Sequence, residues 1–260
     1  MSRHRREEVV TRLSAAGCVA ADEEADELLA TAPDAATLWE RVRRREAGEP
    51  LAWITGIQRF CGTAVRVERG VYVPRVQSEE LARRAARIIA ADGGSALDLC
   101  TGSGAIARHL MTAVESAPVV ATDIDPTAVR CARRNGVTVA LADLAAPFAP
   151  GTFGVVTAVP PYVPTGAMPY LPADVVSHEP RQALDGGEDG LSVVHRLVRS
   201  AGRVLRPGGW LFLELGGDQD RAVAALLEGS GWWDLATWSD EEGALRGLSA
   251  RTLPASDSAR

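Results

Sequence analysis

The chain has 260 residues, 46% of them hydrophobic and 24% charged, with a formal net charge of −6. That length supplies one large domain and one small one with separate cores, and the acidic balance argues against a protein that holds nucleic acid through overall positive charge. The four cysteines, Cys18, Cys61, Cys100 and Cys131, form no C-x-x-C pair and have no histidine at ligand spacing, so no structural metal and a reduced compartment are expected.

Residues 5–47 carry apolar positions at helical spacing, with Val9, Val10 and Leu13, then Leu28 and Leu29, then Leu38 to Val42. Pro33-Asp34 separates two of these stretches, and Gly48-Glu49-Pro50 ends the series. Short strands are expected over 64–67 and 71–73, turned at Arg69-Gly70. A helix follows from residue 79, with Leu81, Ala85, Ile88 and Ile89 on one face. Strands are then expected at 96–99, 118–123, 138–142, 153–158 and 209–215, and helices at 105–115, 126–135, 190–205 and 219–230. Such alternation means a mostly parallel Rossmann-like sheet with helices on both faces. Residues 234–239 and 248–253 suit a terminal antiparallel pair, and 254–260 a loose tail. The expected division is a small helical domain with a hairpin linker over 1–80 and a catalytic domain over 81–260.

Three places carry chemistry. Asp98-Leu99-Cys100-Thr101-Gly102-Ser103-Gly104 follows an apolar strand and opens a helix. Glycines there let the backbone approach a ligand, and the helix start offers free N–H groups to an anion. Nicotinamide enzymes use a similar loop, so the motif alone does not name the ligand. Asp123 ends the next strand, where a carboxylate accepts hydrogen bonds from both hydroxyls of a ribose. Asp125 precedes Pro126 and reads as a helix cap. Asp143-Leu144 closes the third strand, where Asp143 can meet an adenine amino group. Val159-Pro160-Pro161-Tyr162 ends the fourth strand: two prolines stiffen it, donate no N–H and keep their carbonyls as acceptors. His178 lies in the loop region beyond it, a candidate base.

Taken in order, these motifs resemble the HemK/PrmC family, which methylates the side-chain amide nitrogen of glutamine in peptide-chain release factors. The likeness runs from about residue 13 to 253. It includes Arg45–Pro50, Ile54-Thr55-Gly56, Pro74-Arg75 with Ser78-Glu79, the two loops above, Glu179-Pro180, Ala183-Leu184, Gly187, Asp189-Gly190-Leu191, Leu205–Gly209, Glu214 and Gln219. It implies a class I methyltransferase fold using S-adenosyl-L-methionine. Cys100, Thr101, Gly102, Ser103, Gly104, Asp123, Asp143, Leu144 and Ser78 would serve the cofactor, and Val159, Pro160, Pro161 and Tyr162 the acceptor. The expected partner is a release factor or a small-molecule acceptor, with no direct nucleic-acid contact. A cytoplasmic enzyme is expected, since the basic N-terminus has no apolar stretch behind it and no apolar run reaches bilayer length.

The chain departs from the family pattern at Cys100, where glycine is usual, at Val76-Gln77-Ser78, and at Val159, where asparagine is usual. The last bears on chemistry. An amide nitrogen is a poor nucleophile, and in the family the asparagine oxygen and a proline carbonyl accept its two N–H bonds and aim its lone pair. Valine removes one acceptor, and a buried unpaired N–H costs about 1–3 kcal/mol. Methyl transfer is therefore better supported than glutamine as its target. The alternatives are a diverged small-molecule O- or N-methyltransferase and a catalytically silent cofactor-binding homologue.

Overall fold

A computed structural model describes residues 3–254; most of the expected tail, 255–260, lies outside the described residues. Helices α1 (Arg3–Ala15), α2 (Ala21–Thr31), α3 (Ala35–Glu46) and α4 (Leu51–Thr55) share a core of Val9, Leu13, Leu28, Leu38, Val42 and Ile54. Asp34 caps α3 by accepting from the Thr37 N–H at 2.7 Å, which satisfies one of the free donors at the helix start.

The expected linker hairpin is real but displaced. It pairs β1 (Ile57–Phe60) with β2 (Thr63–Arg66) around Cys61-Gly62, not 64–67 with 71–73 around Arg69-Gly70. Cys61 and Gly62 both take positive φ, 48° and 75°, the twist that a two-residue hairpin turn demands. A cysteine there hides the signal, because glycine and asparagine are the usual markers. Residues 71–73 form no strand. Their apolar side chains instead bury Val71 and Val73 beside Trp53, whose indole N–H donates to the Val71 carbonyl at 2.9 Å.

The remaining elements are α5 (Glu79–Asp92), β3 (Ala96–Leu99), α6 (Ala105–Ala113), β4 (Val119–Asp123), α7 (Pro126–Arg134), β5 (Val139–Leu141), β6 (Phe153–Ala158), α8 (Ala173–His178), α9 (Ser192–Val204), β7 (Leu205–Glu214), α10 (Gln219–Leu227), β8 (Trp232–Ser239) and β9 (Leu245–Thr252). The sheet order is β5-β4-β3-β6-β7-β9-β8. The first five are parallel, β9 is antiparallel to β7, and β8 is antiparallel to β9. β3 and β6 are buried along their whole length, as sheets covered on both faces require. One face packs on α9 and α10 through Leu197, Val198 and Val223. The other packs on α5, α6 and α7 through Leu81, Ala85, Ile106 and Val129, and takes in Phe60 and Val65 of the hairpin.

Candidate active site

β3 pairs with β4 on one side and β6 on the other, so the chain order reverses between β3 and β6. In open α/β sheets a crevice forms at the C-terminal strand ends at such a point. Here it holds a continuous cavity of about 430 Å³.

Cys100, Thr101, Gly102, Ser103, Asp123, Asp143 and Leu144 line one part of it. Asp123 accepts from the Gly102 N–H at 2.8 Å through one oxygen and from the Asp125 N–H at 2.9 Å through the other. Each oxygen keeps a lone pair for a further donor. Burial pushes the Asp123 carboxyl above its usual range, opposed by these backbone bonds. Asp125 caps α7 by accepting from the Thr127 N–H. Asp143 pairs with Arg196 of α9. The Ser103 hydroxyl is buried without a hydrogen-bond partner, a polar atom that a ligand can satisfy. Gly104 stands outside the cavity wall. A side chain there would meet Val137 at 2.9 Å, so glycine serves the close packing of loop, α6 and α7.

Asp98, under the loop, accepts from Thr101 Oγ1 at 2.6 Å and Thr157 Oγ1 at 2.7 Å. Burial pushes its carboxyl up to about 6. The folded value is raised, so the folded state takes up the proton more readily, and the stability so gained is lost as pH rises from about 4 through 6. Asp98→Asn, with both hydroxyls still partnered, should lack this slope. Thermal melts should show it gaining on wild type from about pH 4, by ~3 kcal/mol once pH passes 6; parallel melting curves would contradict the assignment.

Phe60, Val71, Tyr72, Pro74, Ser78, Val159 and Pro161 line the other part of the cavity. Val159 is half-buried and packs on the core that holds Phe60 and Ile106. Pro160 is buried and is not in the cavity wall, and no donor among the described residues hydrogen-bonds to its carbonyl. Tyr162 is not in the wall, whose aromatic faces come from Phe60 and Tyr72. The Tyr162 hydroxyl donates to Glu214 Oε1 at 3.1 Å, and its carbonyl accepts from Gln219 Nε2 at 2.9 Å. A side chain at Gly190 would sit 2.3 Å from that carbonyl, which requires glycine in the Asp189-Gly190-Leu191 segment. Burial pushes the Tyr72 hydroxyl up to about 12, so it stays protonated as a donor.

Residues 160–190 wrap over this end and carry α8 with two short 3-10 turns, Thr165–Tyr170 and Arg181–Ala183. They are fastened to the segment before α5 by an ion pair of Arg75 with Glu179, while Arg75 also stacks over the Tyr72 ring at 4.9 Å. His178 lies edge-on to Trp53, with Nδ1 3.1 Å from the Asp174 carbonyl oxygen. It is not in the cavity wall. The pairings of Arg75 with Glu179 and of Tyr162 with Glu214 span 104 and 52 residues. All four residues lie in the motifs named above, but nothing in the sequence signals which of them meet. Among the described residues no group of His, Cys, Asp or Glu is arranged to hold a metal ion, and no helix is long and apolar enough to cross a membrane.

The sheet order, the loop after β3 and the carboxylate ending β4 define a class I methyltransferase fold. A family model described as a methyltransferase domain matches residues 96–170. The solved E. cuniculi Mtq2–Trm112 complex, responsible for methylation of the eRF1 translation termination factor, shares the fold, with a TM-score of 0.52 and 23% identity over 71% of this chain and 99% of that one. The release factor glutamine methyltransferase of Moorella thermoacetica is 41% identical over 210 residues, covering 77% of this chain and 74% of that protein. The chain belongs to the release factor glutamine methyltransferase family, HemK/PrmC, and is an S-adenosylmethionine-dependent methyltransferase. A relative of similar rank is the 4-amino-L-phenylalanine/4-methylamino-L-phenylalanine methyltransferase of Streptomyces pristinaespiralis, 38% identical over 87% of this chain and 82% of that protein.

Proposed function

We propose that this chain transfers the methyl group of S-adenosyl-L-methionine to the nitrogen of a small aromatic amine. The observation that carries this reading is Val159, an apolar side chain in the cavity wall where the family places an amide acceptor. With valine there, the unpaired Pro160 carbonyl is left as the loop's acceptor for an N–H. That arrangement suits an amine nitrogen, whose lone pair is less delocalised than an amide's and needs less orientation. Phe60, Tyr72 and Pro161 offer flat apolar walls to a ring. The pristinaespiralis relative acts on compounds of this kind, and its identity to this chain is close to that of the release-factor enzymes.

The same reading assigns residues to roles. Asp123 receives the ribose hydroxyls, Asp143 and Leu144 border the adenine, and the Cys100–Ser103 loop with the start of α6 receives the methionine portion. The cavity fits this cofactor, since its buried carboxylate has spare lone pairs and the Ser103 hydroxyl lacks a partner. When bound, the cofactor supplies an electrophilic methyl group on a sulfonium. Residues 1–80 contribute to acceptor recognition, joined to the cavity through the Arg75–Glu179 pair. The setting is the cytoplasm.

A release-factor glutamine is the second reading, favoured by the names of most of the similar relatives. The test offers 4-amino-L-phenylalanine and a release factor together, with labelled cofactor and mass readout. Label on the amine confirms the proposal. Label on the Gly-Gly-Gln glutamine alone selects the second reading, and label on neither, with cofactor bound, removes this amine as the acceptor.

A further inference from the structure

Glu214 ends β7 and is 3% exposed. Its Oε1 accepts from Tyr162, and its Oε2 is buried with no hydrogen-bond partner. A carboxylate oxygen left bare in the interior is costly, and an orphaned one needs an explanation. Ser78 lines the cavity, and its hydroxyl acts on the ionisation of Glu214. Cavity, serine hydroxyl and buried carboxylate thus form a short chain from the acceptor to the interior.

The transfer creates a need for such a chain. A nitrogen that has taken a methyl group carries a proton it must lose, and the apolar wall of Val159, Phe60 and Pro161 has no group to receive it. We infer that Ser78 and Glu214 form the proton outlet of the reaction. The N–H bond breaks with its electron pair left on nitrogen, and the proton passes to Ser78 Oγ. The hydroxyl's own proton moves to Glu214 Oε2, so serine ends neutral, the carboxylate ends as the acid, and the amine product is neutral. The proton then returns to solvent when the cavity opens for product release. The inference rests on methyl transfer in this cavity, not on which acceptor is used.

Glu214 is suited to this task by its surroundings. Burial raises its carboxyl above the ordinary range, opposed by the Ser78 and Tyr162 hydroxyls and then by Arg246 of β9 and Arg75. Tyr72 and Tyr162 also face it, both with hydroxyls pushed up by burial. A base with a raised pKa takes a proton in the transfer step and still ionises between turnovers.

Glu214→Gln separates this role from a structural one, because glutamine keeps an oxygen for the Tyr162 hydroxyl. If Glu214 only anchors Tyr162, the variant should behave as wild type. If it is the proton acceptor, kcat should fall on the order of 10²-fold with cofactor affinity retained. The wild-type rise of kcat with pH, as Glu214 ionises, should also vanish. Ser78→Ala should copy this loss and Ser78→Thr should restore it. Rates are read with 4-amino-L-phenylalanine or a release factor, whichever turns over.

A second readout needs no turnover. In infrared difference spectra of the S-adenosylhomocysteine complex, the protonated-carboxyl band missing from Glu214→Gln should titrate above the ordinary carboxylate range. A Glu214→Gln enzyme with unchanged kcat and pH profile overturns the inference. So does a band that persists at every pH or is absent at every pH. Failure here with label still reaching an acceptor leaves the functional proposal standing, and transfer to no acceptor with a normal titration leaves the outlet standing.

Discussion

Replacing Arg75 with alanine should destabilise the protein by about 3–5 kcal/mol, the cost of stranding one member of a buried ion pair. The stranded member is Glu179, whose side chain is 1% exposed. It is left with the Val73 N–H at 3.4 Å as its hydrogen-bond donor. Arg75 also loses its stacking on Tyr72, so the damage reaches the cavity wall. The loss should depend on pH in a definite sense. Burial already holds the Glu179 carboxyl above its usual range even with Arg75 beside it. Without Arg75 the folded carboxyl rises further, so the variant gains stability relative to wild type as pH falls and Glu179 takes up a proton. Denaturant melts at neutral and mildly acidic pH read this as a gap that narrows in acid. A gap under 1 kcal/mol, or one that widens in acid, would show that Arg75 is not Glu179's main support. Glu179→Gln with Arg75 intact should cost less, because the arginine is 30% exposed at its side chain and can turn to water.

Asp123→Ala should weaken S-adenosylhomocysteine binding by 10²-fold or more. Two hydrogen bonds from ribose to a charged acceptor contribute roughly 1.5–3 kcal/mol each, and each 1.4 kcal/mol is about tenfold in affinity. The same substitution removes the acceptor for the Gly102 and Asp125 N–H groups, so the loop that receives the methionine portion loses its brace. Calorimetry on both forms measures the change. Unaltered affinity in Asp123→Ala would remove the ribose contact from the account, and a wild type that binds neither cofactor nor product would remove the cofactor site itself.

Much of this architecture was legible in the sequence because its signals are local. The alternation of apolar strands with amphipathic helices fixed the parallel sheet, and Asp125-Pro126 marked the start of α7, where the cap is found. The turn of the linker hairpin was not legible. Cys61 takes a left-handed conformation that no cysteine advertises, whereas Arg69-Gly70 does turn the chain, with the Val71 N–H donating to the Glu68 carbonyl at 3.0 Å, but joins no pair of strands. The short helices over 160–190 were missed because segments of three to six residues carry too few turns to show a period. At the site, Asp123, Val159 and the loop after β3 announced themselves by position. The partners that hold the site did not. Glu214 meets Tyr162, and Arg75 meets Glu179, only because β7 lies beside β6 and residues 160–190 fold back over the cavity.

Val159 marks a change of acceptor, and single-turnover methylation by wild type and Val159→Asn measures it directly. Each is given 4-amino-L-phenylalanine and, separately, a release factor carrying its Gly-Gly-Gln glutamine. Asparagine adds an acceptor beside the Pro160 carbonyl and puts a polar group against the core that holds Phe60. A crossover is expected: the amine rate falls in Val159→Asn and the glutamine rate rises, both in the chemical step and with cofactor affinity unchanged. A wild type that methylates the release factor at least as fast as Val159→Asn and leaves the amine untouched would contradict it.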